Sequence, residues 1–233
     1  MKNALVLLPG LLCDEALWKP QQSGLADLAE FFVADLTDQD SIGAMAASVL
    51  RAAPWEDFAL AGLSMGGYVA QEIMRQAPHR VTKLALLDTR SRAELPEETK
   101  RRHELMQLAQ SARDFTPVTN RMLPLLVHGS RVNEAALVEG IRDMAQRIGL
   151  EAYLRQQHAI IARPDYRALL PKIGCPTLVL CGRQDRLTPL ENSEQMAGAI
   201  PGAQLMVIEQ CGHMSTLERP AEVNSALRTW LAR

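Results

Sequence analysis

The chain has 233 residues, 47% of them hydrophobic, enough to bury one substantial core and within the range of a single α/β domain spanning residues 1–233. Its formal net charge is −2 and no run of five or more like charges occurs, which argues against a nucleic-acid partner or a polybasic membrane anchor and leaves room for a small, roughly neutral substrate. Four cysteines (Cys13, Cys175, Cys181 and Cys211) lack a Cys-x-x-Cys pair, so neither a zinc ribbon nor a thioredoxin-like motif is expected; as free thiols they fit a cytoplasmic protein with no metal and no cofactor.

The first apolar run, 4 to 8 (ALVLL), reads as a strand. It follows Lys2 and leads to Cys13, which imitates a secretion signal. Pro9-Gly10 breaks the run, however, and bulky Leu12 stands where cleavage needs a small residue. No other segment has the apolar length to cross a bilayer. A helix is expected over 14 to 29, a strand over 31 to 34, a helix over 41 to 52, a strand over 58 to 62, a helix over 65 to 76 and a strand over 83 to 87. From Asp88 to Pro176 the chain is far longer than a crossover needs, and it carries helical patterns near 96 to 112, 114 to 127, 133 to 147 and 150 to 162. We read residues 91–172 as a helical cap over the carboxyl edge of the sheet. Strands at 177 to 181 and 204 to 208 follow, with helices at 190 to 199 and 220 to 231 starting near Pro189 and Pro220. The strands are continuously apolar, as strands buried on both faces are, so the expected sheet is mostly parallel and flanked by helices.

The sharpest motif is Gly62-Leu63-Ser64-Met65-Gly66-Gly67, directly after a strand and directly before an apolar helix. A strand-to-helix turn this tight strains its central residue and leaves no room for side chains beside it, hence the glycines. Ser64 would then stand exposed at a helix N-terminus, where developing negative charge is favoured. A serine hydroxyl needs a base. Of five histidines, His79 lies at a helix exit, His103 in a charged helix face, and His128 and His158 in the cap. His213, in Cys211-Gly212-His213-Met214 just past the last strand, is at the edge where Ser64 emerges. The orienting carboxylate should follow a strand on that edge and precede His213. Asp185, in the loop from Gly182 to Pro189, is favoured over Asp88, which meets the same two demands. The oxyanion donors expected are the backbone N–H groups of Met65 and of Leu11 in the loop after the first strand.

The set Leu8-Pro9-Gly10, Gly62-Leu63-Ser64-Met65-Gly66-Gly67, Gly182-Arg183-Gln184-Asp185 and Gly212-His213 resembles the α/β-hydrolase superfamily almost from end to end. It is similar to the small bacterial members with an inserted helical cap, which include carboxylesterases, lactonases and C–C bond hydrolases. The resemblance implies a catalytic triad of Ser64, Asp185 and His213 and oxyanion donors at Leu11 and Met65. Two departures stand out. Pro9 replaces the usual histidine that braces the oxyanion loop, and the usual opening antiparallel hairpin has no counterpart in Met1-Lys2-Asn3. A shortened sheet of about six strands is therefore expected, with the 31 to 34 strand at an edge and open to self-association. Hydrolysis of a small ester or lactone through an acyl-enzyme is the first expectation. C–C bond hydrolysis or a lyase reaction, with Arg90, Arg92, Arg155 or Arg163 holding a carboxylate, is the second. A slow or non-catalytic small-ligand binder on the same fold is the third.

Overall fold

A computed structural model describes residues 2–112 and 115–233. The apolar runs form β1 (Asn3–Leu8), β2 (Ala29–Val33), β3 (Phe58–Leu63), β4 (Val81–Leu87), β5 (Thr177–Gly182) and β6 (Gln204–Ile208). They pair in the order β2-β1-β3-β4-β5-β6, every pairing parallel. Helices α1 (Lys19–Gly24), α2 (Ile42–Ala52), α3 (Met65–Gln76), α4 (Pro96–Ser111), α5 (Thr116–Leu126), α6 (Ala135–Ile161), α7 (Leu190–Ala199), α8 (Ser215–Glu218) and α9 (Pro220–Leu231) connect or cover the strands.

Successive side chains of β1 show why the strands are apolar throughout. Leu5 and Leu7 enter a core with Trp18, Leu227 and Trp230, whereas Val6 and Leu8 enter the core on the other face with Met45, Val69 and Ile73. Both faces are thus roofed, and each buried leucine contributes about 1.5–3 kcal/mol. The insertion between β4 and β5 supplies α4, α5 and α6, which share their own small core around Leu105, Phe115, Val118 and Tyr153. Phe115 and Tyr153 meet edge to face, with ring centres 5.4 Å apart. β2 lies at one edge of the sheet, as expected, and β6 at the other. Among the described residues no helix is long and apolar enough to cross a membrane.

Some elements differ from the sequence reading. The helix expected over 14 to 29 is a 3₁₀ turn, Glu15–Trp18, followed by the short α1. Asp14 caps the turn by accepting from Ala16 N at 2.9 Å, and Pro20, which has no N–H to give, sits in the first turn of α1. β2 starts at Ala29, two residues early, because its backbone already pairs with Asn3 there. β4 likewise begins at Val81 rather than 83. The two helices expected over 133 to 147 and 150 to 162 are the halves of α6, separated at Gly149, whose φ of 76° and ψ of 171° are not helical. The expected start of a cap helix at 114 lies outside the described residues; α5 runs from Thr116.

Gly66 packs α3 against the end of β1: a Cβ there would sit 2.1 Å from the Leu8 carbonyl oxygen. Gly66→Ala should therefore destabilise the fold by about 1–3 kcal/mol. At Gly140 in α6 a Cβ would meet nothing within 4 Å, so Gly140→Ala should stabilise by about 0.5–1 kcal/mol. Urea midpoints at constant m value decide both.

Candidate active site

Ser64 is the residue between β3 and α3, with φ 55° and ψ −113°. That left-handed conformation is strained for any residue with a Cβ, and it is over-determined by its surroundings. Ser64 N donates to Leu87 O at 3.0 Å and Thr89 Oγ1 donates to Ser64 O at 2.8 Å. On either side, a Cβ on Gly62 would lie 2.3 Å from Gly66 O, so the helix could not turn back over the strand. The serine is left half-buried on the wall of a cavity, at the carboxyl end of β3.

His213 reaches the same point from beyond β6. Its Nε2 lies 2.9 Å from Ser64 Oγ, and its Nδ1 lies 2.7 Å from Asp185 Oδ2. Asp185 follows β5 and is itself fixed: Oδ1 accepts from Leu187 N at 2.8 Å and Thr188 N at 2.9 Å, and Oδ2 accepts from Thr188 Oγ1 at 2.6 Å. Burial alone would push the Asp185 carboxyl up. The facing imidazole, its hydrogen bond and the Thr188 donors outweigh burial and hold it below the usual carboxylate value. Burial alone would lower the His213 pKa, but the charge and hydrogen bond of Asp185 raise it above the ordinary histidine value of 6.5.

Asp88, the competing carboxylate, is fully buried and otherwise engaged. Its Oδ1 accepts from Gly182 N at 2.9 Å and its Oδ2 accepts from Ser215 Oγ. Burial first, and then the nearby Asp185 charge, raise its pKa well above the usual carboxylate value. It thus pins both the strand end that precedes Asp185 and the helix that follows His213. The remaining histidines lie elsewhere: His79, His103 and His158 are exposed, and His128 Nδ1 pairs with Ser130.

Of the two expected oxyanion donors, Met65 directly follows the serine and Leu11 lies in the loop after β1. Met65 is buried as the first residue of α3, Leu11 lines the cavity beside Gly10, and no turn or loop carbonyl among the described residues accepts either N–H. The bracing expected to be missing at Pro9 comes from elsewhere. Gln156, buried on α6, accepts from Leu12 N at 3.1 Å and donates to Leu36 O at 3.1 Å. Leu12 itself has φ 59°. A second brace joins the insertion to the histidine loop: Leu126 O, at the end of α5, accepts from His213 N at 2.9 Å and Met214 N at 3.0 Å. Glu218 completes it, accepting from His128 N at 2.8 Å and Gly212 N at 2.9 Å. Neither Gln156 nor Glu218 carries a signal in the sequence.

The cavity has a volume of about 460 Å³ and is bounded by Ser64 and His213 on the sheet side and by Leu105, Met122 and Ile160 on the insertion side. Of the arginines considered from sequence, Arg90 and Arg92 line it. Arg163 is buried over the Tyr68 ring, 4.3 Å from its centre, and Arg155 Nε donates to Thr37 O, so neither forms its wall. Among the described residues no group of three or more His, Cys, Asp or Glu side chains is placed to hold a metal ion.

Residues 3–220 match the α/β-hydrolase fold family. The chain belongs to that family and is a hydrolase. It is 28% identical over 232 residues to a pimeloyl-[acyl-carrier protein] methyl ester esterase of Nitrosomonas europaea, covering 94% of this chain and 91% of that one. It is 29% identical over 179 residues to a 2-hydroxy-6-oxononadienedioate/2-hydroxy-6-oxononatrienedioate hydrolase of a Pseudomonas species, covering 74% of this chain and 62% of the relative. Among solved structures, a malate-bound thermophilic esterase from Thermogutta terrifontis superposes with a TM-score of 0.90 at 31% identity, covering 100% of this chain and 90% of that one.

Asp88→Ala leaves the buried Gly182 N–H and the Ser215 hydroxyl without their acceptor. Equilibrium unfolding should show a loss of about 1–3 kcal/mol, and Asp88→Asn, which retains a carbonyl oxygen, should lose less.

Proposed function

We propose that the protein hydrolyses a small ester through an acyl-enzyme on Ser64. One observation carries this reading: an unbroken hydrogen-bond chain from Asp185 through His213 to Ser64, ending at a cavity roofed by apolar side chains of the insertion. Ser64 attacks the carbonyl carbon while His213 Nε2 takes its proton. Asp185 holds the ring in the tautomer that leaves Nε2 free and stabilises the imidazolium that forms. The oxyanion is received by the N–H groups of Met65 and Leu11, and His213 then returns the proton to the leaving alcohol. Water, activated by His213, releases the acid. Residues 91–172 act as a cap that excludes bulk water from this exchange within a single hydrolase domain. The names of the relatives support an ester as the bond cleaved, and four free cysteines fit a reducing compartment.

The second reading, C–C bond hydrolysis by the same three side chains, is favoured by the guanidinium groups in the cavity wall and by the Pseudomonas relative. A screen of p-nitrophenyl esters separates the two. Turnover abolished by Ser64→Ala and reduced about 10⁴-fold by Asp185→Asn supports the esterase reading. A Ser64 that reacts with a fluorophosphonate while every ester stays intact supports C–C cleavage. An unlabelled Ser64 sinks both and leaves a binding protein.

The raised His213 pKa fixes a pH dependence. The base must be neutral, so kcat/KM should be lost as pH falls through that pKa, with a midpoint above the ordinary value of 6.5. A pH–rate profile with its acid limb below that value would contradict the coupling to Asp185.

A further inference from the structure

One wall of the cavity carries charge that the hydrolytic step does not use. Arg90 and Arg92, which follow β4, and Arg102 on α4 line it together with Glu94 and Glu98. Glu94 is buried and accepts from Arg102 Nε at 2.7 Å, Arg90 Nη2 at 3.2 Å and the fully buried Arg163. Glu98 accepts from Arg90 Nη1 at 2.6 Å, from both terminal nitrogens of Arg92 at 2.7 Å, and from Leu95 N at 2.9 Å. Four guanidinium groups, three of them in the wall and Arg163 behind it, therefore share two carboxylates, and this cluster keeps two positive charges in excess. An unbalanced charge in such a poorly solvated place is costly until an anion joins it. The excess registers on Glu98, where burial would raise the pKa but Arg92, Leu95 N and Arg90 hold it down at about 2.

Donors are also left over. Arg102 Nη1 donates to Gln157 Oε1 at 2.9 Å, and Gln157 is held by its own bond to Tyr153 Oη at 2.8 Å, but Arg102 Nη2 has no acceptor among the described residues. Among the described residues Arg90 Nε is likewise buried without a partner. Guanidinium is the side chain best matched to a carboxylate, and these groups are held in place by Glu94 and Glu98 rather than free to collapse. The same cavity holds Ser64. We propose that this wall is an anion subsite, and that the ester cleaved at Ser64 carries a free carboxylate that Arg102 binds while Arg90 and Arg92 supply the surrounding positive field. The inference rests on Ser64 as the nucleophile and replaces a neutral substrate with an anionic half-ester.

Two pairs of probes test it. Mono-p-nitrophenyl glutarate against p-nitrophenyl pentanoate places the carboxylate on the acyl side. 4-Carboxyphenyl acetate against 4-carbamoylphenyl acetate places it on the alcohol side. In at least one pair kcat/KM should favour the carboxylate by about tenfold or more, mainly through KM, the size of one charged hydrogen bond. In Arg102→Gln that ratio should fall toward one, with Arg92→Gln as the second variant should the first not fold. Free glutarate should also slow fluorophosphonate labelling of wild-type Ser64. The proposal is overturned if neither pair shows a preference, or if the preference survives both variants undiminished. Failure of the hydrolase reading looks different: no neutral ester is cleaved and Ser64 stays unlabelled.

Discussion

The turn at Ser64 is the constraint from which the site follows. Its positive φ is tolerable only because β3 and α3 close on each other at glycines, and the parallel pairing of β3 to β6 sends every neighbouring loop to the same edge. The serine cannot move to meet its partners, so they come to it. Asp185 arrives from two strands away and His213 from three. The length of that reach is why each of their loops is bonded so heavily, Asp185 by Leu187 and Thr188, His213 by Leu126.

Two buried carboxyls beneath the histidine show how environment separates like groups. Asp185 faces an imidazole and three further donors and is held ionised. Asp88, deeper and next to Asp185, is driven the other way. The second does for the loops what the first does for the ring: it sets position. A third set of charges, the arginines and glutamates of the cavity wall, lines the same space and, on the proposed anion subsite, offers a substrate a second point of attachment.

Much of this was legible beforehand, for definite reasons. The strands are buried on both faces, so their apolar runs are unbroken and their number and order in the chain stand out. Ser64 and His213 could be named because each lies in a short motif against a strand end. Asp185 is favoured over Asp88 in the sequence only by its longer loop, since both follow strands on the correct edge, and it is the hydrogen bonds that set them apart. The helix at 14 to 29 was misread because Leu17, Leu25 and Leu28 imitate a helical stripe, while Asp14 and Pro20 break it into a turn and a short helix. Gln156 and Glu218 were invisible. Gln156 acts on a backbone group 144 residues away, and no local pattern encodes that.

The link from α6 to Leu12 and from α5 to His213 means that the insertion is not a detachable lid. The helices that shape the cavity also hold the backbone at Leu12 and at His213. A relative's insertion grafted between β4 and β5 would bring a new binding surface and, unless it also supplied an amide at position 156 and a helix end at Leu126, a loosened reaction centre.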